Sequence, residues 1–298
     1  MLSVIFLSVV GTAACVDLDE PLCRPGFASE KISAPVAGSN SLAEMDSMDM
    51  HVYRGRDFDS ERGRIVFVQH GTKRNAKSYV RMAARFADDA LVIGLTYDRA
   101  RYPTGCAYTL GMHHPFTREK FNGAQVRAHY AQIEAVFDLV RTRIGGQQQR
   151  YDMFGHSAGA QFVHRYLLFF PDARVRYAVA ANAGWYTLPD LTIPFPYGLA
   201  ATDVDQHSLR RSLAQKLVVM AGALDTQQKG LRTSPRAMRQ GPHRRARAKH
   251  FVHMARKVGA DWQYCEVPGV GHSPAQMLAA FFEAVLSGSS RRCLKVYR

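Results

Sequence analysis

The sequence predicts an α/β fold, with a mainly parallel, twisted sheet and helices on both of its faces. Short apolar runs of the kind that form fully buried strands alternate along the chain with longer segments of helical period. Strands that alternate with helices build parallel sheets, because each helix carries the chain back across one face of the sheet. With 298 residues, 47% of them hydrophobic, the chain is long enough to bury a sizeable core in one large domain.

Each predicted element follows from a local pattern. Strands are expected where apolar runs end in glycine or polar residues, at 50–53, 64–69, 90–95, 151–154, 177–180, 216–221 and 262–267. Helices are expected at 78–88, 122–144, 160–170 and 274–286. In the second of these, one helical stripe collects the apolar residues Val126, Ile133, Val136, Phe137 and Val140.

The first 14 residues are apolar and uncharged. They are too short for a membrane-spanning helix, which needs about 20 apolar residues. They are typical of the apolar core of a secretory signal, with Thr12-Ala13-Ala14 as the cleavage site. No Lys or Arg precedes the run and Cys15 directly follows it, so a buried first strand and a lipid anchor at Cys15 stay open as alternatives. We expect a secreted or periplasmic protein.

The segment after this apolar run is polar and contains Pro21, Pro25 and Pro35. Such a composition is typical of a linker or an N-terminal arm. The predicted organisation is therefore a signal peptide at 1–14, a linker or arm at 15–48, and the main domain at 49–298.

The chain has five cysteines, Cys15, Cys23, Cys106, Cys265 and Cys293. If Cys15 is removed or lipidated, four remain, and an even number suits an oxidising compartment. Four cysteines allow three pairings. We favour Cys265–Cys293, which would pin the C-terminal tail and leave Cys23–Cys106, with unpaired buried thiols as the alternative.

Residues 155–159 (GHSAG) carry the strongest functional signal. They fit G-x-S-x-G, in which a serine lies on a sharp turn between a strand and a helix; we call this turn the elbow. A predicted strand precedes the motif and a predicted helix follows it, as that turn requires. We therefore predict that Ser157 is a nucleophile, with the positive end of the helix directed at the same spot.

A serine hydroxyl needs a general base, and the base needs a carboxylate to orient it. Asp225 and His272 each follow a predicted strand, in the chain order serine, acid, histidine. A turn or helix-capping aspartate and an ordinary loop histidine are the alternative interpretations. Asp203 and Asp205 are weaker candidates for the acid, because they precede the relevant strand.

Backbone N–H groups that stabilise an oxyanion are expected at two places. One is Ala158, directly after the nucleophile, and the other is Thr72, after an upstream strand that ends in His70-Gly71. A plain strand-ending turn is the alternative for His70-Gly71. We expect structural roles for the side chains of His70 and His156.

From about residue 48 to 287 the chain resembles the α/β-hydrolase superfamily, and within it the secreted polyhydroxybutyrate-depolymerase-like and feruloyl-esterase-like branch. The resemblance rests on VQHGTKRNA at 68–76, YTLG at 108–111, FGHSAG at 154–159, GALDT at 222–226, QGPHR at 240–244 and PGVGH at 268–272. It implies an α/β-hydrolase fold and a catalytic domain over 49–298. It also implies that Ser157, Asp225 and His272 form a triad.

The sequence signals for residues that contact the substrate are less specific than those for the triad. Trp185 and Tyr186 follow a predicted strand, where an aromatic side chain lines the acyl pocket of related ester hydrolases; a core position is the alternative. The proline-rich stretch 187–213 suits a small lid and is too short for a cap domain. His250 and His253 lie three apart on a helix but lack a third ligand, so we expect neither a metal nor another cofactor.

The formal net charge is +14, and residues 226–260 contain ten Lys or Arg and no Asp or Glu. We call this stretch the basic segment. It predicts contact with anionic envelope material or an acidic substrate, and an ordinary solvated helix face is the alternative. No nucleic-acid recognition fold is evident, so nucleic acid is not expected as a partner.

Together these observations predict a serine esterase that acts on a small ester or a soluble oligoester. An amidase, peptidase or acyltransferase with the same triad stays open, as does a catalytically silent envelope binding protein on this scaffold. An elbow serine argues against a dehalogenase or an epoxide hydrolase, which would need an aspartate there.

Overall fold

In the computed structural model, which describes residues 20–35, 45–112, 121–286 and 296–297, nine strands form one sheet in the order β1-β2-β4-β3-β5-β6-β7-β8-β9. The strands are β1 (Gly26–Pro35), β2 (Met45–Arg54), β3 (Arg64–Gln69), β4 (Ala90–Thr96), β5 (Tyr151–His156), β6 (Val175–Ala181), β7 (Leu217–Gly222), β8 (Gln263–Val267) and β9 (Val296–Tyr297). From β4 to β8 all neighbours are parallel, whereas β1, β2 and β9 join antiparallel at the two edges. The predicted α/β fold with a mainly parallel sheet is confirmed.

Helices cover both faces of the sheet. They are α1 (Ala76–Ala83), α2 (Gly105–Leu110), α3 (Gly123–Arg143), α4 (Ala158–Phe169), α5 (Gln206–Leu213), α6 (Pro235–Met238), α7 (Arg244–Lys257) and α8 (Pro274–Ala280). The last continues as a π-helical turn, Phe281–Leu286. Successive side chains of a strand point to opposite faces, and β3 divides its apolar residues accordingly: Val66 and Val68 pack with α1 and α8, and Ile65 and Phe67 pack with α3 and α4.

Local signals set the helix ends. The helix predicted at 122–144 is α3, and the side chain of its N-cap Asn122 accepts a hydrogen bond from the Gln125 N–H. Arg141 and Arg143 in its last turn suit the negative end of the helix dipole. Thr104 caps α2 in the same way, although no periodic pattern had predicted so short a helix.

The sheet begins earlier than the predicted domain boundary, because β1 lies inside the segment expected to be a linker or arm. Its ten residues pair with β2 from Gly26↔Arg54 to Pro35↔Met45. This edge strand is stabilised mainly by backbone pairing, and Ile32 is one of its few buried side chains, so it lacks the apolar run that marks a strand in sequence. The predicted signal at 1–14 lies outside the described residues.

Cys106 carries a free thiol, so the Cys23–Cys106 pairing is wrong. The two residues lie toward opposite ends of the strands. The carbonyl of Leu22, next to Cys23, accepts from Arg54, which pairs with Leu91 near the start of β4. Cys106 follows the other end of that strand. Cys293 lies outside the described residues, and the Cys265–Cys293 pairing stays a prediction.

The stretch predicted as a small lid packs onto the body of the protein. Leu188, Leu199 and Leu209 are all buried in the larger apolar cluster. Within the described ranges, no helix is both long and apolar enough to cross a membrane.

Candidate active site

Ser157 lies on the turn between β5 and α4 with φ +58° and ψ −111°. A non-glycine residue with positive φ is strained, and such strain persists only where the surroundings enforce it. The flanking glycines explain how the turn closes. A Cβ added to Gly155 would lie 2.2 Å from the Gly159 carbonyl oxygen, and one added to Gly159 would lie 2.1 Å from the Gln69 carbonyl oxygen. Both contacts are with backbone, so neither glycine tolerates a side chain.

Asp225 and His272 meet at the carboxyl ends of β7 and β8, which are neighbours in the sheet. His272 Nδ1 lies 2.7 Å from Asp225 Oδ2. An ionised carboxylate only accepts, so Nδ1 carries the proton and Nε2 is left to accept one. The carboxyl group of Asp225 is 2% exposed and the imidazole of His272 is 34% exposed. The imidazole of His272 therefore reaches solvent, whereas the carboxylate of Asp225 behind it does not.

The other two acids have structural partners. Asp205 caps α5, where its carboxylate accepts from the Ser208 N–H at 2.7 Å. Asp203 forms an ion pair with Arg127.

A cavity of about 300 Å³ opens above the elbow. It is lined by Gly71, Thr72, Lys73, Asn75, Tyr79, His156, Ser157, His272 and Pro274. The predicted nucleophile and base thus face one space, with the predicted acid hydrogen-bonded behind the base. Of the remaining lining residues, Lys73, Asn75, Tyr79 and Pro274 carried no prediction of substrate contact.

The two predicted oxyanion donors, Thr72 and Ala158, are available. Within the described part of the chain, neither backbone N–H donates to a protein acceptor. Thr72 directly follows Gly71, and both residues line the cavity. Arg99 Nη2 donates to the Thr72 carbonyl at 3.0 Å and helps to hold the loop in place.

His70 has a structural position beneath this loop. The Tyr97 N–H donates to its Nε2 at 3.2 Å, so Nδ1 carries the proton and donates to the Gly71 carbonyl at 3.0 Å. Burial lowers the pKa of His70 to about 3, which keeps the ring neutral. A charged ring there would lack solvation, so this side chain orders the loop and does not transfer protons.

His156 is also buried and neutral. Its Nδ1 lies 3.1 Å from the Tyr79 hydroxyl, and burial holds its pKa well below the usual value. Its ring centroid lies 4.6 Å from that of His272, so it forms one wall beside the base.

Trp185 and Tyr186 lie apart from the cavity. Tyr186 is fully buried and stacks on Phe251 with ring centroids 4.4 Å apart, which gives it a position in the core. Trp185 is 6% exposed and lies between two guanidinium groups, 4.1 Å from Arg165 and 5.4 Å from Arg232. Neither aromatic ring lines the space in front of Ser157.

The basic segment divides into four kinds of residue. Arg256 is half-buried, and its Nε donates to the Trp262 carbonyl at 3.1 Å. Arg245 and Lys249 pair with Glu266. Lys229, Arg232, Arg236, Arg239 and Lys257 are exposed. Arg244 and Arg247 are buried, and Arg244 contacts the carboxylate of Asp225. Arg244 ends the stretch QGPHR on which the family resemblance partly rests, but no sequence pattern marked either arginine as buried.

No described group of three or more His, Cys, Asp or Glu side chains is arranged to hold a metal ion. His250 and His253 lie on α7, away from the cavity.

Two solved structures are similar to this chain over most of its length. A poly(aspartic acid) hydrolase-1 from Sphingomonas sp. KT-1 is 33% identical, with a TM-score of 0.76 over 88% of this chain and 99% of that one. A poly(3-hydroxybutyrate) depolymerase from Bordetella parapertussis is 29% identical, with a TM-score of 0.78 over 88% of this chain and 91% of that one. An S-formylglutathione hydrolase from Agrobacterium tumefaciens, 16% identical with a TM-score of 0.51 over 91% of this chain and 97% of that one, shares the fold. No family model and no curated protein matches the chain.

Proposed function

The chain belongs to the α/β-hydrolase superfamily, and from that premise we propose that it is a serine hydrolase that cleaves carboxylic esters. The observation that carries the proposal is the 2.7 Å contact between His272 Nδ1 and Asp225 Oδ2 beside a cavity shared with the strained Ser157. Similarity to a polyester depolymerase supports the ester as the bond that is cleaved.

The proposed reaction has two halves. Ser157 Oγ attacks the ester carbonyl while His272 Nε2 takes its proton, and the N–H groups of Thr72 and Ala158 stabilise the oxyanion. His272 then gives the proton to the departing alkoxide, which leaves as the alcohol. Water attacks the acyl-enzyme with the same base, releasing the acid and restoring Ser157. Asp225 holds the imidazole in the required tautomer throughout.

Turnover of 4-nitrophenyl esters from acetate to octanoate tests the proposal. We expect Ser157→Ala to lower kcat by a factor of roughly 10⁴ to 10⁶, because the nucleophile and base act as a unit. A fluorophosphonate should label the wild type at Ser157 and leave the variant unlabelled. Equal turnover by the folded variant would refute the nucleophile, and a wild type that neither turns over esters nor takes the label would favour a silent binding protein.

A second candidate is an amidase that acts on an acidic chain. The relative from Sphingomonas is a poly(aspartic acid) hydrolase. In this protein the cavity carries Lys73, and none of the described residues that line it is acidic, so an anionic substrate would meet a favourable field. Poly(aspartic acid) cleavage, measured as new amino groups with Ser157→Ala as the blank, decides between the two bonds.

Lys73 supplies the test of charge selection. We expect Lys73→Gln to lower kcat/KM for the 4-nitrophenyl half-ester of adipate and to spare the neutral hexanoate. Lys77→Gln, an exposed lysine outside the cavity, is the matched control. If Lys73→Gln changed kcat/KM equally for both esters, Lys73 would have no role in recognising the charge of the substrate.

We also propose that the chain is exported and that the exposed residues of the basic segment contact anionic envelope material. The apolar residues 1–14 and the small residues before Cys15 support export. N-terminal sequencing and intact mass of the mature protein distinguish cleavage from lipidation at Cys15. A non-reduced digest tests the Cys265–Cys293 pairing in the same sample.

A further inference from the structure

The carboxylate of Asp225 is shared between two side chains. Oδ2 lies 2.7 Å from His272 Nδ1, and Oδ1 lies 3.3 Å from Arg244 Nη1. Arg244 is the first residue of α7. Both members of the ion pair are nearly buried, with side chains 8% and 2% exposed for Arg244 and Asp225. Each oxygen of the carboxylate therefore has one partner, and the second partner is a cation.

Arg244 also holds the chain that follows the acid. Its Nη2 donates to the Lys229 carbonyl at 3.4 Å, so one guanidinium spans the Asp225 side chain and the backbone four residues later. A planar fork can make both contacts at once, which the single ammonium of a lysine cannot do with the same geometry. The turn that carries Asp225 is thereby tied to the start of α7.

The Arg244 guanidinium does not use all of its hydrogen-bond donors. Within the described residues its Nε is buried and has no acceptor, an arrangement that costs free energy. Arg244 is buried with one donor unused, and it contacts the Asp225 oxygen that His272 does not use, which indicates a role directed at that carboxylate. The contact also supplies a compensating charge, without which the buried anion would face only the histidine.

We propose that Arg244 is a positioning residue for the catalytic acid. It fixes the carboxylate so that Oδ2 faces His272. Its guanidinium is also a fixed positive charge close to the acid–base pair. This inference rests on the proposed Ser157–His272–Asp225 mechanism and assigns a role to a residue outside it.

The test compares Arg244→Gln and Arg244→Lys with the wild type on a 4-nitrophenyl ester over a range of pH. Active sites are counted by fluorophosphonate titration, so that kcat refers to folded enzyme. We expect Arg244→Gln to lower kcat by about tenfold or more, within the range of coupled neighbours. The pH at which kcat/KM falls by half on the acid side should rise, since a repelling charge is gone. Arg244→Lys should recover the pH at half-maximal kcat/KM more fully than it recovers kcat.

The matched control is Arg247→Gln. Arg247 is a second buried arginine of α7, but it donates to the carbonyls of Gly241, Gly184 and Arg232 and does not touch Asp225. Its loss should lower the thermal midpoint while leaving kcat per active site and the pH profile within about twofold of the wild type. A purely structural role for Arg244 would make the two glutamine variants alike, and that result would overturn the proposal.

A double-mutant cycle with Asp225→Asn completes the test. If Arg244 acts through the acid, Arg244→Gln should have little further effect on kcat once the carboxylate is gone. Additive losses would overturn the proposal. Ser157→Ala in the same assay separates failure of the proposed triad from failure of the role of Arg244. Activity that survives in Ser157→Ala refutes the triad. If Ser157→Ala is inactive and Arg244→Gln has unchanged activity, only the role of Arg244 is refuted.

Discussion

The elbow at 155–159 and the basic segment at 226–260 are the two strongest signals in the chain, and the structure treats them differently. The elbow is a local motif, and each residue lies where its spacing predicts, with Ser157 strained between two glycines that pack on backbone. The basic segment is a composition, and its ten cations separate into buried, half-buried, paired and exposed groups. A motif with fixed spacing specifies the local backbone geometry. A stretch rich in one type of residue does not, so tertiary packing decides where each of its side chains lies.

The largest expected effect tests the rigidity of the elbow. Gly159→Ala would place a methyl group 2.1 Å from the Gln69 carbonyl oxygen, and neither backbone can move without disturbing β3 and α4. We expect a loss of about 3 kcal/mol or more in the free energy of unfolding, measured by chemical denaturation. Gly105→Ala is the control, because a Cβ at Gly105 meets nothing within 4 Å. Equal stability of the two variants would mean that the elbow is not held by close backbone contact.

An intermediate effect tests the division of the basic segment. Arg247 is fully buried and donates to three carbonyls, so Arg247→Gln should cost about 2–3 kcal/mol through the acceptors left unpaired. Lys257→Gln, at the exposed end of the same helix, should stay within about 0.5 kcal/mol of the wild type. Both substitutions remove one positive charge. Similar losses of stability in Arg247→Gln and Lys257→Gln would mean that the effect comes from the charge removed and not from the burial of the side chain.

The effect that is smallest per unit of change is a pH dependence that comes from His70, beneath the loop that carries Thr72. Burial lowers the pKa of His70 to about 3, against about 6.5 in an unfolded chain. Above pH 6.5 the His70 ring is neutral in both the folded and the unfolded state. Below pH 6.5 the ring binds a proton in the unfolded state and stays neutral in the folded state. Stability therefore falls as the pH drops from about 6.5 toward 3, by up to about 1.4 kcal/mol per pH unit for this residue.

Urea unfolding between pH 4 and 6 measures that slope. His70→Gln should flatten it, although the variant is less stable overall. His253→Gln, on the exposed side of α7, should keep the wild-type slope. A slope that is unchanged in His70→Gln would mean that His70 does not titrate on unfolding as its burial requires.

Much of the fold could be predicted because its signals are local. β3 coincides with its apolar run, and α3 begins after its capping Asn122. The edge strand β1 could not, because backbone pairing with β2 stabilises it and its side chains carry little of the core. The sequence also left open whether Tyr186 lies in the core or lines a pocket. Its core position depends on stacking against Phe251, which belongs to α7, a helix distant in sequence.

The candidate site divides in the same way. The sequence by itself determined Ser157, Asp225 and His272 as the candidates, because strand ends in a parallel sheet lie at one edge and the chain order is characteristic. The tertiary structure decided which side chains surround them: Lys73 and Tyr79 in the cavity, and Arg244 on the free oxygen of Asp225. Those contacts join residues brought together by the packing of α1 and α7 on opposite faces of the sheet, and no spacing along the chain records such a contact.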